Sequence, residues 1–185
     1  DFCLSRGLGD VYKRQGLQSP DDRELKILGR IHNYEQFLET YRSAREAGFD
    51  NINIDLMSAI PDQTYEGWIH NLRTVAGLDP EHISAYSLII EEGTPFASRT
   101  LNLPDEDAEY NMYEATAQIL REYGFEQYEI SNYAKKGREC RHNVGYWIRQ
   151  DYLGFGLGAS SLYGKERFAN TQDMKKYLEN SRTCL

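Results

Sequence analysis

Hydrophobic positions along the chain follow two periods in turn. Apolar residues recur every three or four positions in segments that predict helices, and every second position in segments that predict strands. The predicted helices begin near Asp21, at Tyr34, after Thr64, after Asp105 and around residue 172. The predicted strands are residues 16–19, 51–57, 82–90 and a β-like stretch over 125–133. Helix and strand in alternation, with short connections, is typical of βα units around a parallel sheet.

The strand that carries Asp55 is the most informative segment. Ile52, Ile54 and Leu56 alternate with polar residues, and Pro61 prevents the run from continuing as a central strand. Asp55 is therefore expected near the carboxyl end of its strand, which is where ligands bind in parallel α/β barrels. A simpler alternative stays open, in which Asp55 merely pairs with a neighbouring arginine.

Two further polar residues are expected at the same end of the sheet. Gln18 lies where the first strand ends, and Arg30 follows the first helix. An amide, a guanidinium and the Asp55 carboxylate can together hold a small molecule that carries a carboxylate and hydroxyl or amino groups. We therefore expect one pocket built from consecutive βα units.

Length and charge narrow the class of protein. The 185 residues suffice for one domain, but not for a complete eight-stranded barrel of about 250 residues. A net charge of -8 argues against broad affinity for nucleic acid, and no apolar run predicts a transmembrane segment. The 3 cysteines, Cys3, Cys140 and Cys184, lie far apart, which favours a reducing, cytoplasmic location.

Several segments resemble the radical S-adenosylmethionine (SAM) haem chaperone family, which is similar to oxygen-independent coproporphyrinogen III oxidases. The resemblance lies in the order and spacing of residues 16–19, 28–30, 51–56, 61–64 and 86–96. It implies an α/β fold in which residues 16–124 form the later part of a parallel (β/α) barrel of radical SAM type. It also implies that Gln18, Arg30 and Asp55 contact SAM.

A second motif lies in residues 125–185, which we expect to form a small α+β extension that stops before a C-terminal domain. Residues 142–147, HNVGYW, resemble the HNxxYW signature of the haem chaperones. A neutral His142 can ligate haem iron, and Tyr146 and Trp147 can pack on a porphyrin face. Nearby basic side chains are candidate partners for haem propionates: Lys135, Lys136, Arg138 and Arg141. The alternative is a structural histidine beside a solvated basic loop.

The glycine-rich residues 154–159, GFGLGA, do not predict a dinucleotide site. Their spacing lacks the final glycine of GxGxxG, and no helix is predicted directly after them. We expect these glycines to let strands approach closely.

One defining feature of the family is missing. The resemblance implies a CxxxCxxC loop for a [4Fe-4S] cluster, and the chain contains no such spacing. Residues 1–15 also do not match the apolar strand that should precede Gly16. We therefore predict that residues 1–15 are non-native or disordered. The chain is predicted to be an interior fragment that has no residues for the cluster and cannot cleave SAM by itself.

Three functions remain open. In the first, the parent protein is a haem chaperone that binds haem, SAM and a [4Fe-4S] cluster and delivers haem to acceptor proteins, membrane-associated ones among them. In the second, it is a coproporphyrinogen III oxidase (dehydrogenase) of porphyrin biosynthesis. In the third, it is a barrel hydrolase with Asp55 and Glu91 or Glu92 as acid and base. The HNxxYW hexad favours the first.

Overall fold

The computed structural model of the chain describes residues 13–180, which form two compact units. The first unit extends to Glu139 and the second begins at Cys140. This division differs from the predicted one after residue 124, because two short strands that follow residue 124 join the sheet of the first unit.

The first unit is built of βα units. Its elements are β1 (Lys13–Gln18), α1 (Asp22–Ile27), α2 (Tyr34–Glu46), β2 (Ile52–Ser58), α3 (Tyr65–Ala76), β3 (His82–Ser87), α4 (Glu106–Glu122), β4 (Glu126–Gln127) and β5 (Asn132–Ala134). The sheet order is β1-β2-β3-β5-β4, with the first three strands parallel and β5 antiparallel to both its neighbours. The predicted parallel α/β architecture is confirmed.

The second unit contains α5 (Arg141–Trp147), β6 (Ser160–Tyr163), β7 (Glu166–Ala169) and α6 (Met174–Asn180). Strands β6 and β7 form an antiparallel hairpin. Gly154 lies so close to Ser160 that an added Cβ would be 2.2 Å from the Ser160 carbonyl oxygen. The expected close approach of backbones at the glycine-rich segment is confirmed at this position.

Three helices of the first unit begin at the polar residues that the sequence indicates. The side chains of Asp21, Thr64 and Asp105 each accept a hydrogen bond from a backbone N–H in the first turn of α1, α3 and α4. Such caps satisfy donors that have no partner inside the helix. None of the helices described within residues 13–180 is long and apolar enough to cross a membrane.

The alternation along β2 separates two faces of the sheet. Ile52, Ile54 and Leu56 are fully buried in a core that also contains Trp68 of α3 and Ile119 of α4. The intervening side chains of β2 lie on the opposite face, as expected from a period of two. The opposite face is polar, and it carries Asn53 and Asp55 in β2 and His82 and Ser84 in β3.

Strand β1 begins earlier than expected. Lys13, Arg14 and Gln15 pair with β2 in parallel register, so the prediction of no regular structure up to residue 15 is wrong for these three. A neighbouring strand with free hydrogen-bonding groups can order a segment whose side chains give no strand pattern. Residues 1–12 and 181–185 lie outside the described residues, and the non-native origin of residues 1–15 stays a prediction.

Gln15 fits its place poorly. It is paired with Ile54, so its side chain lies on the apolar face of the sheet, and it is 5% exposed. Its side-chain oxygen is buried and has no hydrogen-bond partner among the described residues. A buried polar atom without a partner destabilises the folded state.

We therefore expect Gln15→Leu to raise the free energy of unfolding by about 1–3 kcal/mol, because the unpaired oxygen is removed and apolar surface is buried. Urea denaturation followed by tryptophan fluorescence measures the change. Gln118→Leu, at an exposed position of α4, serves as the matched control and should leave the stability within about 0.5 kcal/mol. A destabilised Gln15→Leu variant would show that the oxygen is satisfied.

Candidate functional site

The end of β1 is irregular where it carries Gln18. Gln15 pairs with Ile54, whereas Gln18 pairs with Leu56, so β1 contains one residue more than β2 over this stretch. Such a bulge redirects the side chains that follow it. Gly16 leaves space for the redirected side chain of Gln18, since a Cβ at position 16 would lie 3.2 Å from Nε2 of Gln18.

The two loops that follow β1 and β2 hold their backbones in a sparsely populated conformation. Gln18 has φ 74°, Ala59 has φ 56° and Asp62 has φ 64°. A residue other than glycine costs about 1–3 kcal/mol in this region, and such residues cluster at functional sites. The surrounding contacts must therefore hold these two loops in place.

Asp55 lies on the polar face of the sheet and is 5% exposed. Arg14 Nε donates to both carboxylate oxygens of Asp55, at 3.0 and 2.8 Å, and Asn53 Nδ2 donates to Oδ1 at 2.7 Å. The simpler alternative, a pairing with a neighbouring arginine, therefore describes the contact that the structure shows. Arg14 belongs to the segment predicted to be non-native, and its side chain is 47% exposed.

Tyr86 of β3 contacts Gln18, one of the three predicted site residues. Its hydroxyl donates to Oε1 of Gln18 at 3.0 Å. Burial raises the pKa of the Tyr86 phenol most, and the negative charge of Asp55 raises it further, while Gln18, Arg14 and Arg30 act in the opposite direction. The Tyr86 hydroxyl thus links β3 to Gln18, and the charges of Asp55 and Arg30 act in opposite directions on its pKa.

Arg30 is the exposed member of this set. Its backbone N–H donates to the Leu25 carbonyl oxygen at 2.9 Å and closes the end of α1. Among residues 13–180 no carboxylate forms an ion pair with the Arg30 guanidinium. The guanidinium can therefore pair with a negatively charged ligand without breaking an existing salt bridge.

The sequence analysis assigned no role to Tyr86, although two signals were present. Tyr86 follows His82 and Ser84 at a spacing of two along β3, so it shares their polar face. It also opens the segment 86–96, which resembles the family. The β3 strand itself ends at Ser87, three residues earlier than predicted.

A buried histidine lies at the other end of the polar face. His82 Nδ1 is 2.5 Å from Oδ1 of Asn53, and Nε2 is 2.7 Å from the Tyr128 hydroxyl. Burial lowers the pKa of His82 to about 4, and the positive charge of Arg14 contributes in the same direction. The ring is therefore neutral at pH 7, with one nitrogen donating and the other accepting.

The lowered pKa of His82 makes stability depend on pH. Between about pH 6.5 and pH 4 the unfolded chain binds a proton on this ring and the folded chain does not. The free energy of unfolding should therefore fall as the pH drops through that window, by up to about 3 kcal/mol. Urea denaturation at a series of pH values measures it. His82→Gln should flatten the dependence, whereas the exposed His70→Gln should keep it. Equal pH profiles for the two variants would contradict the assignment.

The hexad forms helix α5 of the second unit. His142 and Tyr146 are one turn apart, and their rings meet edge to face with centroids 4.7 Å apart. Tyr146 also contacts Tyr152 in the same manner at 4.8 Å. Tyr146 and Trp147 are 47% and 58% exposed. The helix thus presents an imidazole and large aromatic surfaces at the surface of its unit.

Two of the four basic residues before the hexad form ion pairs with carboxylates. Lys135 pairs with Asp79 at 2.6 Å, and Arg138 lies 3.6 Å from a carboxylate oxygen of Asp50. Because β5 runs antiparallel to β3, the segment after β5 returns to the acidic loops that precede β2 and β3. Haem propionates would compete with these carboxylates, and the expectation that the two side chains pair with propionates stays a prediction. Lys136 and Arg141 are exposed.

The two carboxylates of the hydrolase alternative differ in their surroundings. Asp55 contacts Arg14 and Asn53, whereas Glu91 and Glu92 are exposed in the loop that follows β3. Within the described residues, no group of three or more His, Cys, Asp or Glu side chains is arranged to hold a metal ion.

Comparisons with known proteins show what the chain is similar to. Residues 8–75 match the model of the radical SAM superfamily. The chain is 40% identical to the heme chaperone HemW of Bacillus subtilis over 168 residues, which are 89% of this chain and 44% of that protein. It is 42% identical to HemW of Escherichia coli over 153 residues, 83% of this chain and 40% of that protein. A mitochondrial radical S-adenosyl methionine domain-containing protein 1 from Mus musculus is 40% identical over 152 residues, 80% of this chain and 34% of that protein.

Among solved structures, the fold is similar to that of coproporphyrinogen III oxidase (HemN) from Escherichia coli, described as a radical SAM enzyme. The TM-score is 0.77 at 22% identity, over 95% of this chain and 44% of that one. The chain is thus similar in sequence to radical SAM proteins, relatives named heme chaperone among them, and the likeness to HemN shows the fold. It spans less than half the length of these relatives. The family and the fold expected from the sequence are both confirmed.

Proposed function

We propose that the chain is the SAM-binding and haem-contacting part of a radical SAM haem chaperone. The observation that carries the proposal is that Tyr86, which shares the polar face of the sheet with Asp55, donates a hydrogen bond to Gln18, in a chain that also presents the HNxxYW hexad. The relatives named HemW at about 40% identity support the same assignment. The protein would act in the cytoplasm and deliver haem to acceptor proteins, including membrane-associated ones.

The side chains of the first unit fit SAM chemically. This ligand carries a carboxylate, an ammonium group and ribose hydroxyls, so it needs both a cation and acceptors. Arg30 can pair with the carboxylate, Asp55 can accept from ammonium or hydroxyl groups, and the Gln18 amide can do either. Arg14 holds the Asp55 carboxylate in the chain as it stands, so a ligand at Asp55 requires Arg14 to move away.

The chain does not fit a [4Fe-4S] cluster. Its 3 cysteines, at positions 3, 140 and 184, have no CxxxCxxC spacing, and Cys140 is buried. We therefore derive no step that requires a cluster bound by this chain. The function proposed here concerns the binding of SAM and haem.

The second unit fits haem. His142 supplies a nitrogen that can ligate iron, and the exposed rings of Tyr146 and Trp147 can pack on the porphyrin. The alternative, a coproporphyrinogen III oxidase, has the similarity of fold in its favour, whereas the hexad and the relatives in sequence support the chaperone.

The site in the first unit is tested by SAM titration of the polypeptide at the full length of its relatives, with a reconstituted cluster. Asp55→Asn and Arg30→Ala should each raise the dissociation constant at least roughly tenfold, because each removes one charge-assisted contact. The matched controls are Asp107→Asn and Arg42→Ala, both at exposed positions on helices. Dissociation constants of Asp55→Asn and Arg30→Ala within about twofold of wild type would refute the pocket.

Haem binding is tested on the 185-residue chain. His142→Ala should weaken haem binding at least roughly tenfold and change the Soret absorption, because an iron ligand is lost. His70→Ala, on the exposed side of α3, is the control for removal of a surface imidazole. If His142→Ala binds haem as tightly as wild type, the main reason for preferring the chaperone to the oxidase disappears.

A further inference from the structure

A buried carboxylate contacts the two loops that follow β1 and β2. Glu24 of α1 is 8% exposed. Its Oε2 accepts hydrogen bonds from Ser19 Oγ at 2.5 Å, Gln63 Nε2 at 3.0 Å and Asn71 Nδ2 at 2.8 Å. We call these four residues the Glu24 brace.

The brace joins separate pieces of the chain at one oxygen atom. Ser19 directly follows Gln18, Gln63 lies in the loop after β2, and Asn71 belongs to α3. Glu24 itself lies on the short helix that leads to Arg30. The brace therefore connects the residue after Gln18, the helix that leads to Arg30 and the loop after the strand of Asp55, although none of its four members contacts those three side chains through a hydrogen bond within the described residues.

The donors that bond to the Glu24 carboxylate are neutral, namely one hydroxyl and two amides. Among residues 13–180 no lysine or arginine forms an ion pair with Glu24. A buried carboxylate is tolerated only where hydrogen bonds replace the lost water. Bonds to an ionised acceptor are shorter and stronger than bonds between neutral groups, so one carboxylate can hold a hydroxyl and two amides firmly.

The loops attached to the brace are the ones with sparsely populated backbone conformations. Gln18 precedes Ser19, and Asp62 precedes Gln63, and both have positive φ angles. Such residues persist only where the surroundings fix them. Ser19 and Gln63, which directly follow these two residues, are both hydrogen-bonded to Glu24.

We propose that Glu24 is a positioning residue that sets the placement of Gln18 and Arg30 relative to β2, the strand of Asp55, through Ser19, Gln63 and Asn71. The proposal rests on the proposed SAM site. It also gives a role to Gln63 in the segment 61–64, which resembles the family but contributes no ligand contact in the proposed site.

The decisive test exchanges the carboxylate of Glu24 and the amide of Gln63 between the two positions. Gln63→Glu places two carboxylates against each other and should raise the SAM dissociation constant of the full-length, cluster-loaded protein at least roughly tenfold. Glu24→Gln leaves only weaker neutral hydrogen bonds and should raise it about threefold to tenfold. The double variant Glu24→Gln/Gln63→Glu restores one carboxylate facing one amide, so it should bind SAM more tightly than Gln63→Glu alone.

Independent effects of the two changes would instead multiply and make the double variant the weakest binder. That result, or single variants that bind SAM like wild type, would overturn the proposal. Glu46→Gln removes an exposed carboxylate of α2 and is the control. A role in overall stability alone predicts that binding losses follow the melting temperature across the series. A positioning role predicts a loss of affinity in Glu24→Gln at a nearly unchanged melting temperature.

Hydrogen exchange of the 185-residue chain provides a readout that does not require SAM. Glu24→Gln should speed exchange of the backbone amides of residues 18–21 and 61–64, while protection in α4 stays as in wild type. Unchanged protection in both loops would overturn the brace, even if the double variant failed to fold. If wild type does not bind SAM at all, the proposed function fails, and the exchange experiment still decides the role of Glu24.

Discussion

Strand β2 lies between β1 and β3 in the parallel part of the sheet and is buried on both of its faces. One face packs against the helices through Ile52, Ile54 and Leu56, and the other carries Asn53 and Asp55. The apolar face fixes the register of the strand, because a shift by one residue would exchange the two sets of side chains. The place of the Asp55 carboxylate is therefore determined by packing on the side of the strand that faces away from it.

A polar face that is buried must satisfy its hydrogen-bonding groups internally, and this requirement organises the site. Asp55 binds Arg14 and Asn53, Asn53 is bonded to His82, and Gln18 is bonded to Tyr86. Unpaired polar atoms would destabilise the fold, so side chains from neighbouring strands are held in fixed geometry. The same rule explains why the buried Glu24 carboxylate can hold the loops after β1 and β2 through hydrogen bonds.

Much of this arrangement is predictable from local pattern. The helix caps at Asp21, Thr64 and Asp105 and the alternation along β2 are short-range signals, and the structure confirms them. The same signals place Gln18 at the end of its strand, as the structure has it, whereas the expectation that Asp55 lies near the carboxyl end is wrong, because β2 continues to Ser58 and Asp55 is its middle residue. The hexad is also visible in the sequence, because its spacing is local.

Contacts between distant segments are not visible in a local pattern. The pairing of Arg14 with Asp55 and of Tyr86 with Gln18 depends on which strands become neighbours. Strand β5 joins the sheet by pairing with β3, and β4 pairs with β5, so the boundary between the units differs from the predicted one. The role of Glu24 requires three partners from different elements and cannot be read from spacing.

An amide, a guanidinium and a carboxylate from consecutive βα units are proposed to hold one ligand. A crystal structure of the full-length, cluster-loaded protein with SAM tests this proposal most directly. We expect the polar groups of SAM to lie within hydrogen-bond distance of Gln18, Arg30 and Asp55. The side chain at position 14 should then no longer contact the Asp55 carboxylate. A ligand bound elsewhere, with these three side chains directed to different regions, would contradict the account.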